Sequence, residues 1–316
     1  MNPILYIVVP CYNEEKVLPK TKDIFLKKVS ELIDSKKIDD DSRILFVDDG
    51  SSDKTWEIIS ELSRESKYFE GVSLSRNRGH QNALLAGLSE AQKKADVTVS
   101  IDCDGQDDIN AIDEMLDAYS DGCDIVYGVR KSRQKDSFFK RTTAQGFYKF
   151  LKFLGAEVVY NHADYRLMSK RAVQALLEFK EVNLFLRGMV PLVGFKSTSV
   201  YYERNERVDG KSHYSFRKMV SLAFDGITSL SIKPIRLIIA FGAFVSLISL
   251  LLIIWSVVRY FTGNTVLGWA STIAVISFFG GVQLLSMGVI GEYIGKIYIE
   301  TKARPRFIIE EKTYEE

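Results

Sequence analysis

The chain has 316 residues, 46% of them hydrophobic and 26% charged, with 42 Lys and Arg against 41 Asp and Glu. That length accommodates one large or two modest domains with a real core, and a net charge of +1 argues against a general nucleic-acid binder. Three cysteines without CxxC spacing and three scattered histidines, His80, His162 and His213, argue against a disulfide framework and against zinc.

In chain order, apolar runs at Leu5 to Val9, Ile44 to Val47, Val72 to Leu74, Val97 to Ile101 and Ile125 to Val129 predict strands. Between them, Trp56, Ile59 and Leu62, then Ala83, Leu84, Gly87 and Leu88, recur at helical spacing. The alternation predicts an α/β fold with a mainly parallel sheet and helices on both faces. From Leu237 to Val258 the chain is uncharged for about 22 residues, enough to cross about 30 Å of hydrocarbon. A second uncharged stretch follows a short turn, so a C-terminal two-helix transmembrane hairpin is expected, with spans at about 236–258 and 268–290.

Lys233 and Arg236 precede the first span and Lys296, Lys302, Arg304 and Arg306 follow the second, whereas the turn carries only Arg259. Both termini are therefore expected on the cytoplasmic side of the inner membrane, and no signal peptide is read at Met1. The expected division is a catalytic domain at 1–213, interfacial helices at 214–234, the hairpin at 235–292 and a cytoplasmic tail at 293–316.

Parallel strands end on one side, where open α/β sheets bind ligands. Four consecutive predicted strands are followed there by PCYNEE (Pro10 to Glu15), DDGSSDKT (Asp48 to Thr55), SRNRGHQ (Ser75 to Gln81) and DCDGQD (Asp102 to Asp107). A turn or cap needs one or two such residues, not adjacent carboxylates like Asp48 and Asp49. The Asp-x-Asp pair offers oxygen ligands to a hard divalent cation that would neutralise a diphosphate, which points to a nucleotide-sugar donor. No GxGxxG or GxxxxGK[ST] follows any strand.

Together, VVPCYNEE, VDDGSSDKT, LSRNRGHQNALLAG and IDCDGQD resemble the family 2 inverting glycosyltransferases of the GT-A fold. IVYGVRKSR, HADYRLMSKRAV, FLRGMVPLVGF and YYERNERVDGKSHYSFRKM, followed by two spans, narrow the resemblance to polyprenyl-phosphate glycosyltransferases, similar to bactoprenol glucosyltransferases and dolichol-phosphate mannose synthases. The resemblance implies that Pro10, Tyr12, Glu14, Asp48 and Asp49 hold the uridine, with Asp102 and the backbone at Cys103 completing that site. It implies Mg²⁺ or Mn²⁺ on Asp104 and Gln106, with Arg76 adding positive charge nearby. Asp164 corresponds to the acidic residue beside the acceptor. One departure is Gly105 with Asp108, Ile109 and Asn110, where relatives carry an apolar residue and two prolines.

A polyprenyl phosphate acceptor needs cations, and Arg130, Lys131 and Arg133, then Arg204, Arg207 and Lys211, supply them. The expected reaction moves a hexose or N-acetylhexosamine, glucose or GlcNAc favoured, from a UDP-sugar to undecaprenyl phosphate with inversion. Its product would feed cell-envelope glycan modification, with a flippase and a downstream transferase as partners. Gly280, Gly281, Gly288, Gly291 and Gly295 permit close helix packing, so homo-oligomers in the bilayer are expected. The alternatives are a transferase with a non-lipid acceptor and a non-catalytic nucleotide-sugar sensor or scaffold. A processive synthase is disfavoured because no Arg-Trp pair occurs.

Overall fold

A computed structural model describes residues 2–131, 162–182, 184–205, 233–262 and 268–315. Arg133, Arg207, Lys211, His213 and the expected interfacial segment up to 232 lie outside the described residues.

Strands β1 (Leu5–Cys11), β2 (Arg43–Asp48), β3 (Phe69–Leu74), β4 (Val97–Ser100) and β5 (Ile125–Arg130) form where the apolar runs predict them. Helices α1 (Leu18–Asp34), α2 (Thr55–Glu65), α3 (His80–Ala91) and α4 (Ala111–Ser120) connect them. Strand β1 pairs in parallel with β2 and β4, and β2 with β3. The chain then adds β6 (His162–Ser169), helices α5 (Lys170–Glu178) and α6 (Leu186–Leu192), and β7 (Ser197–Tyr202). Strand β6 inserts antiparallel between β4 and β5, while β7 runs parallel to β5.

Alternate residues of each central strand face opposite layers. On one face Leu5, Ile7 and Val9 of β1 and Ile44 and Phe46 of β2 pack with Phe25 and Val29 of α1, Ile59 of α2 and Met115 of α4. On the other face Tyr6, Val8, Leu45 and Val47 pack with α3, α5 and α6. Burial of each such large side chain stabilises the fold by about 1.5–3 kcal/mol. Gly87 lets α3 lie directly on the sheet, since a Cβ there would stand 2.4 Å from Val8 Cγ1.

Two long helices follow, α7 (Lys233–Phe261) and α8 (Trp269–Thr301), coinciding with the two expected spans. Leu237, Ile239, Phe244, Leu251 and Trp255 of α7 and Phe278, Leu284, Leu285 and Met287 of α8 are exposed. Among the described residues, no helix is long and apolar enough to cross a membrane. Side chains at several positions of both helices, such as 246, 252, 253 and 273, lie outside that described set.

After α8 the chain returns to the N-terminal sheet. Strand β8 (Ile309–Lys312) pairs antiparallel with β3 and completes the order β7-β5-β6-β4-β1-β2-β3-β8. Trp56 Nε1 donates to Glu311 Oε2 at 2.8 Å, and Gly71 N donates to Thr313 Oγ1 at 2.8 Å.

Candidate active site

Strand β1 has β2 on one side and β4 on the other, so the chain reverses its direction of sheet growth beside β1 and opens a crevice at the carboxyl edge. The four polar loops meet there and lock one another. Asp49 N donates to Cys11 O at 2.9 Å, Asn13 N to Ser51 Oγ at 2.9 Å, and Ser52 N to Asn13 Oδ1 at 2.9 Å. Asn13 adopts a left-handed φ of 55°, which asparagine tolerates. Gly50, at φ 63°, is required twice over, because a Cβ there would also lie 2.5 Å from the Arg76 carbonyl carbon.

Among the residues expected to hold uridine, Pro10 is the penultimate residue of β1, and Tyr12 is exposed at the crevice rim. Glu14 N donates to Thr55 Oγ1 at 2.8 Å. Asp48 and Asp49 are both buried. Asp49 accepts from Arg78 N at 2.7 Å and Gly79 N at 2.8 Å, one on each oxygen, and Asp48 accepts from Ser73 Oγ at 3.1 Å and Ser51 N at 3.2 Å. These carboxylates therefore fix the loops after β2 and β3. Burial raises the Asp49 pKa, with the two backbone bonds opposing it. Arg76 is exposed, and the Cys103 side chain is buried 3.8 Å from Thr21 Oγ1.

Beyond β4, the residues expected to act on the sugar and the acceptor come together. His80, at the start of α3, places Nε2 3.6 Å from Asp102 Oδ1 and 3.7 Å from Asp164 Oδ2. Asp164, on β6, accepts from Arg166 Nη2 at 2.6 Å and from Arg187 Nη2 at 3.0 Å. Burial works against the Asp164 charge, yet Arg187, Arg166 and His80 hold its pKa well below the carboxylate range. Loss of water around Asp102 raises its pKa; His80 opposes this, while Asp107, Asp164 and Asp104 reinforce it. The crevice thus sets Asp102 and Asp164 around His80, with Arg166 and Arg187 on Asp164.

Asp104 and Gln106 sit in the same loop, where Gln106 N donates to Asp104 Oδ1 at 3.1 Å. Among the described residues there is no group of three or more His, Cys, Asp and Glu that forms a metal cage. The residues present still fit a divalent ion, because Mg²⁺ is usually held by one or two carboxylates together with substrate phosphates and water. Asp102 and Asp104 supply such oxygens. The Gln106 side chain is turned elsewhere, its Oε1 accepting from Arg204 Nη2.

Arg130, expected to meet the acceptor, instead donates to Asp107 Oδ1 through Nη2 at 2.9 Å and Nε at 3.2 Å. Tyr202 OH donates to the same oxygen at 2.5 Å. Asp107 Oδ2 is buried and has no hydrogen-bond partner among the described residues. Arg130 and Arg204 therefore brace the DCDGQD loop against β5 and the segment after β7.

Four site residues escaped the sequence reading: His80 as a bridge, Arg187 as a partner of Asp164, and Asp107 and Tyr202 as a brace. Arg187 did carry a signal, since it is the lone charge in the apolar stretch FLRGMVPL.

Residues 6–177 match the family described as glycosyl transferase family 2, and residues 233–297 match the GtrB C-terminal hairpin. The chain is 50% identical over 315 residues to the uncharacterized glycosyltransferase YkoT of Bacillus subtilis strain 168, covering 100% of this chain and 94% of that one. It is 39% identical over 308 residues to the bactoprenol glucosyl transferase of Shigella phage SfX, covering 97% and 98%. Among solved structures, the mannosyltransferase PcManGT of Pyrobaculum calidifontis, in complex with GDP-Man and Mn²⁺, matches 75% of this chain and 65% of its own at 15% identity, with a TM-score of 0.51.

Proposed function

We propose, from the premise that this chain belongs to glycosyl transferase family 2 and ends in a GtrB-type hairpin, that it transfers glucose or GlcNAc from a UDP-sugar to a polyprenyl phosphate with inversion. The observation that carries this reading is the Asp102–His80–Asp164 array flanked by Arg166 and Arg187 at the crevice. Full-length similarity to bactoprenol glucosyl transferases supports the lipid acceptor.

A divalent cation, Mg²⁺ or Mn²⁺, would offset the charge that grows on the UDP leaving group. Asp104, with Asp102 beside it, would hold that ion, and Gln106 joins only if its amide leaves Arg204. The acceptor is a phosphate monoester with a second pKa near 6, so it is largely ionised at neutral pH. Its oxygen attacks the anomeric carbon as the bond to the β-phosphate breaks, and a single displacement inverts that centre. No general base is required. Asp164, held anionic, serves to fix Arg187, which presents positive charge to the incoming phosphate, while the buried Arg166 holds Asp164 in place.

The hairpin would anchor this edge to the bilayer, with α7 and α8 crossing it and the catalytic domain on the cytoplasmic face. The exposed apolar residues on both helices support that placement, because water-soluble surfaces rarely carry patches of that extent. Homo-oligomers, a flippase and a downstream transferase complete the proposed setting.

The test is incorporation of radiolabel from UDP-glucose, UDP-GlcNAc and GDP-mannose into organic-extractable lipid by purified protein with undecaprenyl phosphate and Mg²⁺ or Mn²⁺. Label from one UDP-sugar is expected. No label from any donor, with uridine nucleotide still bound, would replace this reading with that of a nucleotide-sugar sensor.

A further inference from the structure

Where the C-terminal end of α8 meets the start of α3 there is a second cavity, of about 260 Å³. It is many times the roughly 10–15 Å³ that one ordered water needs. Arg78, Asn82, Tyr298, Lys302, Arg304 and Arg306 line it beside three apolar residues, and among the described residues no carboxylate does. Of the nearby acids, Glu300 is engaged: both its oxygens accept from Val182 N, at 2.8 and 2.9 Å. Burial lowers the Arg306 pKa, which Glu181 and Glu300 partly restore, and its Nη2 donates to Phe179 O.

Two buried atoms at this cavity lack partners among the described residues, the donor Arg78 Nε and the acceptor Asn82 Oδ1. The Asn82 amide is fixed, since Nδ2 donates to Arg78 O at 2.8 Å. The guanidinium groups and the Lys302 ammonium give the cavity a positive lining suited to an anionic phosphodiester. The first turn of α3 adds no acidic residue, and its dipole favours an anion.

We propose that this cavity binds the headgroup of an anionic glycerophospholipid, separately from the sugar-transfer crevice. The proposal rests on the reading that α8 crosses the bilayer, which brings Lys302 and Arg304 to headgroup depth. Occupancy would steady the segment Arg78-Gly79-His80, whose amides are held by Asp49 and whose histidine reaches Asp102 and Asp164.

The experiment follows the thermal midpoint of the full chain in neutral detergent. The probes are dioctanoyl phosphatidylglycerol, dioctanoyl phosphatidylcholine, inorganic phosphate and undecaprenyl phosphate. The expected result is a rise of about 3 °C with phosphatidylglycerol alone, abolished in Lys302→Gln/Arg304→Gln. Should that double variant fail to fold, Asn82→Asp, which puts a carboxylate into the cavity, must abolish the rise in its place. No rise, or a rise that survives the variants, overturns the site. An equal rise with inorganic phosphate overturns the headgroup assignment, and an equal rise with undecaprenyl phosphate lost in the same variants transfers the site to the acceptor. This readout needs no turnover, so its failure is distinct from failure of the transferase reading.

Discussion

Arg187 grips Asp164 with two hydrogen bonds, Nη2 to Oδ2 at 3.0 Å and Nε to Oδ1 at 3.3 Å, so a helix that follows β6 is tied side-on to that strand. Arg166 Nη2 donates to Oδ1 of the same carboxylate from within the fold. Because Arg187 presents charge where the acceptor phosphate would arrive, Arg187→Ala should lower kcat by about 10²-fold, the usual cost of one transition-state donor. Single-turnover transfer at saturating donor measures this. A rate within twofold of wild type would confine Arg187 to a structural role.

Asp164→Asn separates orienting from proton transfer. The wild-type rate should climb through about pH 6 with the acceptor's second ionisation. If Asp164 only orients Arg187, the slower variant keeps that limb unchanged. A limb absent from wild type that appears only in the variant would make Asp164 the base, because an ionised Asp164 could take the proton of the monoanion. The variant leaves Arg166, 2% exposed, without its counter-charge, so a destabilisation of about 3–5 kcal/mol is also expected from denaturant midpoints.

Most of the central sheet was legible because β1, β2, β3, β4 and β5 are apolar runs buried on both faces, which is the pattern parallel strands require. Strand β6 was not. Its sequence HADYRLMS carries Asp164 and Arg166 in strand positions, and only their mutual pairing allows that burial. Strand β8, with Ile309 followed by two glutamates, has the charged look of a free tail, yet a sheet edge suits charge. At the site, which loops meet was readable from strand order. Which polar atoms those loops spend on one another, as Asp49 does on Arg78 and Gly79, depends on backbone positions far apart in sequence.

Glu90 on α3 ties down the C-terminal strand, receiving Lys312 Nζ at 2.9 Å, Lys93 Nζ at 3.0 Å and the Tyr314 hydroxyl at 3.4 Å. Burial opposes its charge, but the two lysines prevail and hold its pKa below the ordinary 4.5. A folded pKa below the unfolded one means stability present above pH 4.5 and lost as pH falls through the folded value. Glu90→Gln should therefore cost about 1 kcal/mol at pH 7. The gap to wild type should close below pH 4.5 in pH-resolved denaturation. A gap that stays constant with pH would assign the loss to packing.

Gly50→Ala tests the loop lock directly. With φ at 63° and a Cβ placed 2.5 Å from the Arg76 carbonyl carbon, the alanine cannot be seated without moving the loop after β3. That loop carries Arg78 and His80, so both uridine-nucleotide affinity and transfer should fall, with a stability loss of about 1–3 kcal/mol. Calorimetric titration with UDP beside a thermal melt reads both. Unchanged nucleotide affinity would show that the crevice does not depend on this contact.

Asp104→Asn probes the cation. The amide keeps a neutral oxygen and the shape of the loop, including an acceptor for Gln106 N, now 3.1 Å from Oδ1. What it removes is the negative charge that a hard ion needs when only one or two carboxylates face it. Transfer should therefore fall by at least about 10³-fold, and raising Mn²⁺ should recover part of it, because weakened binding yields to mass action. Chelation with EDTA should abolish wild-type transfer and leave the thermal midpoint without ligand unchanged, since the loop is already braced by Arg130 and Tyr202 on Asp107. Transfer that persists under EDTA would mean that the leaving-group charge is offset without a metal.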